Sequence, residues 1–190
     1  TRRSSDLARG QTEVLLEVLK GHGFAEPNPS PMFPNPPGKL RLEPYAPGLR
    51  ERIWWGSATN DTAIWAARLG MNLQSSTLKF DESGKPFHIQ QAEQIRAYRA
   101  AWKEAGHAHE PRVSVSRSIF ALVNDMDRAY FGTGRPEQDQ FGYIEPEKQD
   151  EAIAEADTLL LTVPNQLGVD YNAHVIQSIL THVAPALGWR

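Results

Sequence analysis

Residues 52–70, RIWWGSATNDTAIWAARLG, place a β-type run, a Gly-Ser break and an amphipathic helix in immediate succession, and that order constrains the fold more than any other stretch. Ile53, Trp54 and Trp55 have the bulk and β preference of a buried strand. Gly56 permits a tight turn and lets a ligand approach the backbone closely. Ser57, Thr59, Asn60, Asp61 and Thr62 offer N-caps to a helix through Ala63, Ile64, Ala66, Ala67 and Leu69, which Gly70 ends. First-turn amides, the positive end of the helix dipole and flanking hydroxyls together suit a phosphate.

The same order recurs downstream. A short segment over 72–78 precedes a polar loop through Gly84 and Pro86, and residues 89–105 predict a helix with Ile95, Tyr98 and Trp102 on one face and Gly106 at its end. Residues 112–123, RVSVSRSIFALV, alternate and then run apolar, as a strand covered by helices does. Helices are expected over 125–131 and 147–156, and a strand over 158–163 stops at Pro164. The last helix, 171–187, places Val175, Ile176, Ile179, Leu180 and Val183 on one stripe. Repeated strand–helix units mean parallel strands joined by right-handed crossovers, so the fold class is α/β. Four such strands are too few to close a barrel, and parallel strands do not easily leave both edges bare. Either a doubly wound sheet with protected edges or an arc of a (β/α)8 barrel satisfies the pattern.

The chain does not begin with Met and enters directly on a helix expected over 7–20, led in by Ser5 and Asp6 and ended by Gly21 and Gly23, which reads as an entry in mid-fold. Eight prolines between Pro27 and Pro47 exclude helix and give a stiff loop. Long loops of this kind often line or cover a site, and Met32, Phe33 and Tyr45 would supply apolar contact. A chain of 190 residues suffices for one core, so a single domain over 1–190 is expected, with the Pro-rich loop over 26–50 inserted before the Trp-Trp strand.

A formal net charge of −3 with no basic cluster argues against a nucleic-acid surface. The absence of cysteine removes disulfides, thiol nucleophiles and thiolate metal sites. With no apolar run of spanning length and no secretory start, a cytoplasmic protein without membrane partners is expected. Arg117 is the one charge in its strand, on the face shared with Val113, Val115 and Ile119, and if buried it needs an anionic partner, a carboxylate from an absent half of the barrel or a ligand phosphate, with a structural ion pair the safer expectation. His107 and His109 read as solvated surface rather than metal ligands. His174 and His182 read as half-exposed companions of the apolar stripe. Gln74, Ser75, Ser76, Asn165 and Gln166 sit where loops leave strands and can either bond a ligand or close turns. No residue is assigned an acid–base role and no metal is expected.

Together, RIWWGSATNDTAIWAARLG, the following MNLQSSTL, the passage IRAYRAAWKEAGHAHEPRVSVSR, and the closing ADTLLLTVPNQLG with VAPALGWR resemble the latter part of bacterial luciferase-like flavin monooxygenases. The resemblance covers nearly the whole chain and implies strands five to eight of a (β/α)8 TIM barrel. It places the cofactor phosphate at Gly56, Ser57, Ala58, Thr59 and Thr62, where Ala58 offers only its backbone amide. It implies reduced FMN and O2 acting on a small organic substrate, a flavin reductase or nicotinamide as electron source, and a homodimer. Related barrels use the deazaflavin coenzyme F420 for hydride transfer instead. A non-catalytic flavin-binding or structural homologue is the reading from another class.

Overall fold

In the computed structural model, residues 2–77, 83–132, 150–186 and 188 are described. They form four strands, β1 (Trp54–Ser57), β2 (Asn72–Ser75), β3 (Val113–Arg117) and β4 (Thr158–Leu161). The helices are α1 (Arg2–Val18), α2 (Asn60–Arg68), α3 (Phe87–Ala105), α4 (Asp125–Phe131), α5 (Glu151–Glu155) and α6 (Gly168–Ser178). The sheet is parallel throughout and its order is β1-β2-β3-β4, so the described strands contain no reversal of direction along the sheet. The α/β expectation holds at that level.

Alternation decides what each face of the sheet does. Leu73, Val113 and Val115 point to one face, where they pack with Ala63 and Ala67 of α2, Ile95, Tyr98, Ala101 and Trp102 of α3, and Ala152 of α5. Trp55 joins the same face and packs edge-on against Trp65 at 4.8 Å, near Leu16 of α1 and Met71. Three successive crossover helices thus lie on one side. The other side carries Asn72, Gln74, Ser114 and Ser116, with Gln74 accepting from the Ser114 hydroxyl across the β2–β3 register. Asn72 there accepts from the Arg112 amide at 3.0 Å and donates to the Glu51 carbonyl at 3.0 Å. One face is therefore covered by helices, and the other carries these polar side chains beside Trp54 and Leu160.

Several boundaries also move. Gly56 is the third residue of β1 rather than the turn itself, and a Cβ there would meet nothing within 4 Å, so its missing side chain leaves the polar face open. The strand over 112–123 ends at Arg117, which takes Ile119 off its face. Ser5 and Asp6 lie inside α1 rather than before it. In the last helix Val175 and Ile179 are buried, but Ile176 and Leu180 are about half exposed, and α6 runs on as a π-helical turn over Ile179–Val183. Expected residues 78, 147–149 and 187 fall outside the described set.

The Pro-rich loop returns to the end of α1: Leu40 and Ala25 exchange backbone hydrogen bonds, and the Tyr45 hydroxyl donates to the Lys20 carbonyl at 3.4 Å. From there the chain enters the N-terminal end of β1, while the Gly-Ser corner is at the C-terminal end. Met32 and Phe33 are 90% and 76% exposed. These contacts hold the ends of the loop against the end of α1. No described helix is long and apolar enough to cross a membrane.

Candidate functional site

The β1–α2 corner is built from hydroxyls that first satisfy one another. Thr59 is the N-cap of α2, its Oγ1 accepting from the Thr62 amide at 3.3 Å. The Ser57 hydroxyl lies 2.5 Å from Thr62 Oγ1 and donates to the Thr59 carbonyl at 2.8 Å. Thr59 Oγ1 and Thr62 Oγ1 are 3.0 Å apart. Ser57 is 1% exposed, so its hydroxyl braces the turn from beneath, whereas Gly56, Ala58 and Thr59 face solvent and Thr62 is half-buried. Among the described residues, no carboxylate accepts from the amides of residues 58–61 at the start of the nine-residue α2. All five residues expected at the corner are thus gathered there, with Ser57 in a supporting place.

Behind the corner lies a buried polar layer that joins three strand ends to α3. Ser75, which faces Ser57 in the register, donates to Gln94 Oε1 at 2.8 Å, and Gln94 Nε2 reaches the Ser57 carbonyl at 3.5 Å. Gln91 Nε2 donates to the Ser76 carbonyl at 2.7 Å, and its Oε1 accepts from Arg117 Nη2 at 2.7 Å. Arg117, 1% exposed, is neutralised by Asp150 through Nε at 2.8 Å and Nη2 at 3.0 Å. Its partner is therefore a carboxylate of this chain, the N-cap of α5, and not a ligand phosphate. Gln91 and Gln94 continue the stripe of Ile95, Tyr98 and Trp102 toward the start of α3, where the strand ends are polar.

Neither a family model nor a curated protein matches this chain.

A second polar cluster follows β3 and β4, where the loops at the C-terminal ends of the strands converge. Asp127, 1% exposed, accepts from the Tyr171 hydroxyl at 2.6 Å, from His174 Nε2 at 2.9 Å, and from the Val123 and Asn124 amides at 3.2 Å each. It also forms a reciprocal capping box with Asn124 at the start of α4. Burial pushes the Asp127 carboxyl up, but the hydrogen bonds from Tyr171, His174 and the two amides outweigh it and hold the group below the usual carboxylate range. Burial and the bond to Asp127 push the Tyr171 phenol up to about 12. His174 is thus a ligand of a buried carboxylate, a role its place on the apolar stripe concealed. His107 and His109 are also half-buried: His107 Nε2 lies 2.8 Å from the Ala67 carbonyl, and both rings pack on Trp102. Asn165 closes a turn over Asn165–Leu167. Among the described residues, no group of three or more His, Cys, Asp or Glu could hold a metal ion.

A carboxyl with a depressed pKa contributes stability that is complete above its unfolded pKa and is lost as pH falls through the folded value. Acidification is therefore expected to release α6 from α4, with Tyr171 reporting the change in near-ultraviolet circular dichroism. In Asp127→Asn that acid transition should disappear, and the neutral-pH stability should fall by about 1–3 kcal/mol from the weakened bonds. An unchanged acid transition in the variant would assign it to other groups.

Proposed function

We propose that this chain is the C-terminal half of a luciferase-like (β/α)8 barrel and that the enzyme is a flavin-dependent monooxygenase using reduced FMN, O2 and a small organic substrate. The observation that carries the reading is the sheet itself: parallel strands in sequence order, with α2, α3 and α5 on one side and a polar layer of Asn72, Gln74, Ser114 and Ser116 on the other. An arc of barrel has helices outside and a side-chain-filled interior, whereas a doubly wound sheet has helices on both faces. The sequence resemblance through RIWWGSATNDTAIWAARLG supports the same reading.

The residues present fit the cofactor's phosphate. Gly56 leaves the approach open, Ala58 and Thr59 are exposed beside the N-terminus of α2, and Thr62 adds a hydroxyl at the same turn. The flavin, when bound, supplies the redox chemistry with oxygen. The chain's own part is to fix the phosphate at the corner, to hold that corner through Ser57 and Gln94, and to line the interior with amides and hydroxyls. Substrate, electron source and dimer contacts belong to the same proposal, and a cytoplasmic location follows from it.

Thr62→Glu is the discriminating variant. A glutamate three residues after Thr59 completes a capping box, so α2 is retained while the corner gains a negative charge. Lost charge-assisted hydrogen bonds of about 1.5–3 kcal/mol weaken FMN binding roughly 10- to 100-fold, read by quenching of flavin fluorescence on the natural-length polypeptide. Riboflavin, which lacks the phosphate, should bind the parent weakly and be indifferent to the change. Equal affinity for FMN in parent and variant would sink the phosphate assignment.

A further inference from the structure

The groove beside the Asp127 cluster has a chemical character that the flavin reading does not use. It has a volume of about 390 Å³ and is lined by Met126, Tyr130, Leu167, Asp170, Tyr171 and His174. From the geometry of these residues we propose that it is a binding site for a small organic ammonium ion, held between aromatic faces and acceptors at the C-terminal side of the sheet.

Three features of the lining lead there. The rings of Tyr130 and Tyr171 meet edge to face at 5.4 Å and 85°, and both residues line the groove. Aromatic faces attract cations, and alkylammonium groups are recognised by such cages. The Tyr171 hydroxyl donates to the buried carboxylate of Asp127, which enriches its ring in electron density and takes that hydroxyl out of use as a donor toward a ligand.

The second feature is the tautomer of His174. Its Nε2 points at both oxygens of Asp127, at 2.9 and 3.1 Å, and a lone pair placed there would face a full negative charge. Nε2 therefore carries the proton. In the neutral ring this tautomer leaves Nδ1 as an acceptor, on a side chain that lines the groove.

The third feature is charge. Asp170 lines the groove from α6, while the nearby Arg128 is turned to Asp125 and to the Leu122 carbonyl. Among the described residues, the charged and titratable groups next to His174 are Asp127 beneath it and Tyr130, Asp170 and Tyr171 along the groove, and none of them is a cation. Met126 and Leu167 supply apolar surface for the organic part of the ligand. An anion would meet the Asp170 carboxylate, and a neutral ligand would leave that charge unpaired.

The test uses benzylammonium and its neutral isostere benzyl alcohol, titrated into the full chain at matched ionic strength and followed by proton–nitrogen correlation spectra. Benzylammonium should saturate and shift resonances of Tyr130, Tyr171 and His174, with benzyl alcohol at least about tenfold weaker. Tyr130 is 52% exposed and Asp170 is also exposed, so replacing them leaves the core intact. Tyr130→Leu should weaken benzylammonium roughly 2- to 30-fold, in line with the strength of cation–π contacts. Asp170→Asn should weaken it several-fold and flatten its salt dependence. Equal binding of the two probes, insensitivity to both substitutions, or no saturation by about 10 mM would each overturn the proposal. None of these results depends on flavin.

Discussion

Asp150→Ala is expected to lower stability by about 3–5 kcal/mol, because it strands the guanidinium of Arg117 in a place with no access to water. Arg117 is 1% exposed and Asp150 8%, and both carboxylate oxygens are used, so no solvent molecule of the surface can stand in for the lost partner. Asp150 also accepts from the Ile153 amide as the N-cap of α5, and that bond is lost in the same step. For a domain of this size the loss corresponds to roughly 6–20 °C in Tm, read by calorimetry or circular dichroism. The control is the double replacement Arg117→Met with Asp150→Leu, which should recover most of the loss because apolar groups of similar volume need no partner. A single Asp150→Ala variant that melts with the parent would mean that the buried pair contributes nothing.

Trp102→Ala is the second large effect, and its cause is packing rather than charge. The indole is 5% exposed and sits in the core cluster with Tyr98 at 5.8 Å, His107 at 4.5 Å and His109 at 5.0 Å. Its Nε1 donates to the His109 carbonyl at 3.0 Å, which fastens the α3–β3 connection to the helix. Truncation leaves a cavity and an unpaired carbonyl together, about 3–5 kcal/mol in all. Trp102→Phe fills most of the space and loses only the hydrogen bond, so denaturant titrations should place it within about 1–2 kcal/mol of the parent. If the two variants were equally unstable, the hydrogen bond and not the cavity would be the dominant cause.

How much of this was legible in the chain follows from the range of each interaction. The α4 helix was readable to the residue, because Asn124 and Asp127 cap it within one turn. The order of strands and helices was readable from local apolar periodicity, as was the Thr59-capped corner. The end of β3 was not, because nothing in RVSVSRSIFALV says that Arg117 will be held by a carboxylate 33 residues away. Gln91 and Gln94 carry no local sign of burial, and only the neighbouring strand ends make them buried hydrogen-bond partners. His174 and Asp127 are 47 residues apart, so their pairing is a property of the folded loops. One local signal was available: a capping-box aspartate whose second oxygen has no neighbour in sequence invites a distant donor.

The amide-and-hydroxyl seam from Ser57 through Gln94, Ser75 and Gln91 to Arg117 has a consequence for how anything binds at the β1–α2 turn. The turn is bolted to two neighbouring strands and a long helix before a ligand arrives, so it cannot swing inward to meet one. A ligand at that turn would meet a surface already in place, so little chain entropy would be lost on contact and selectivity would rest on shape and charge.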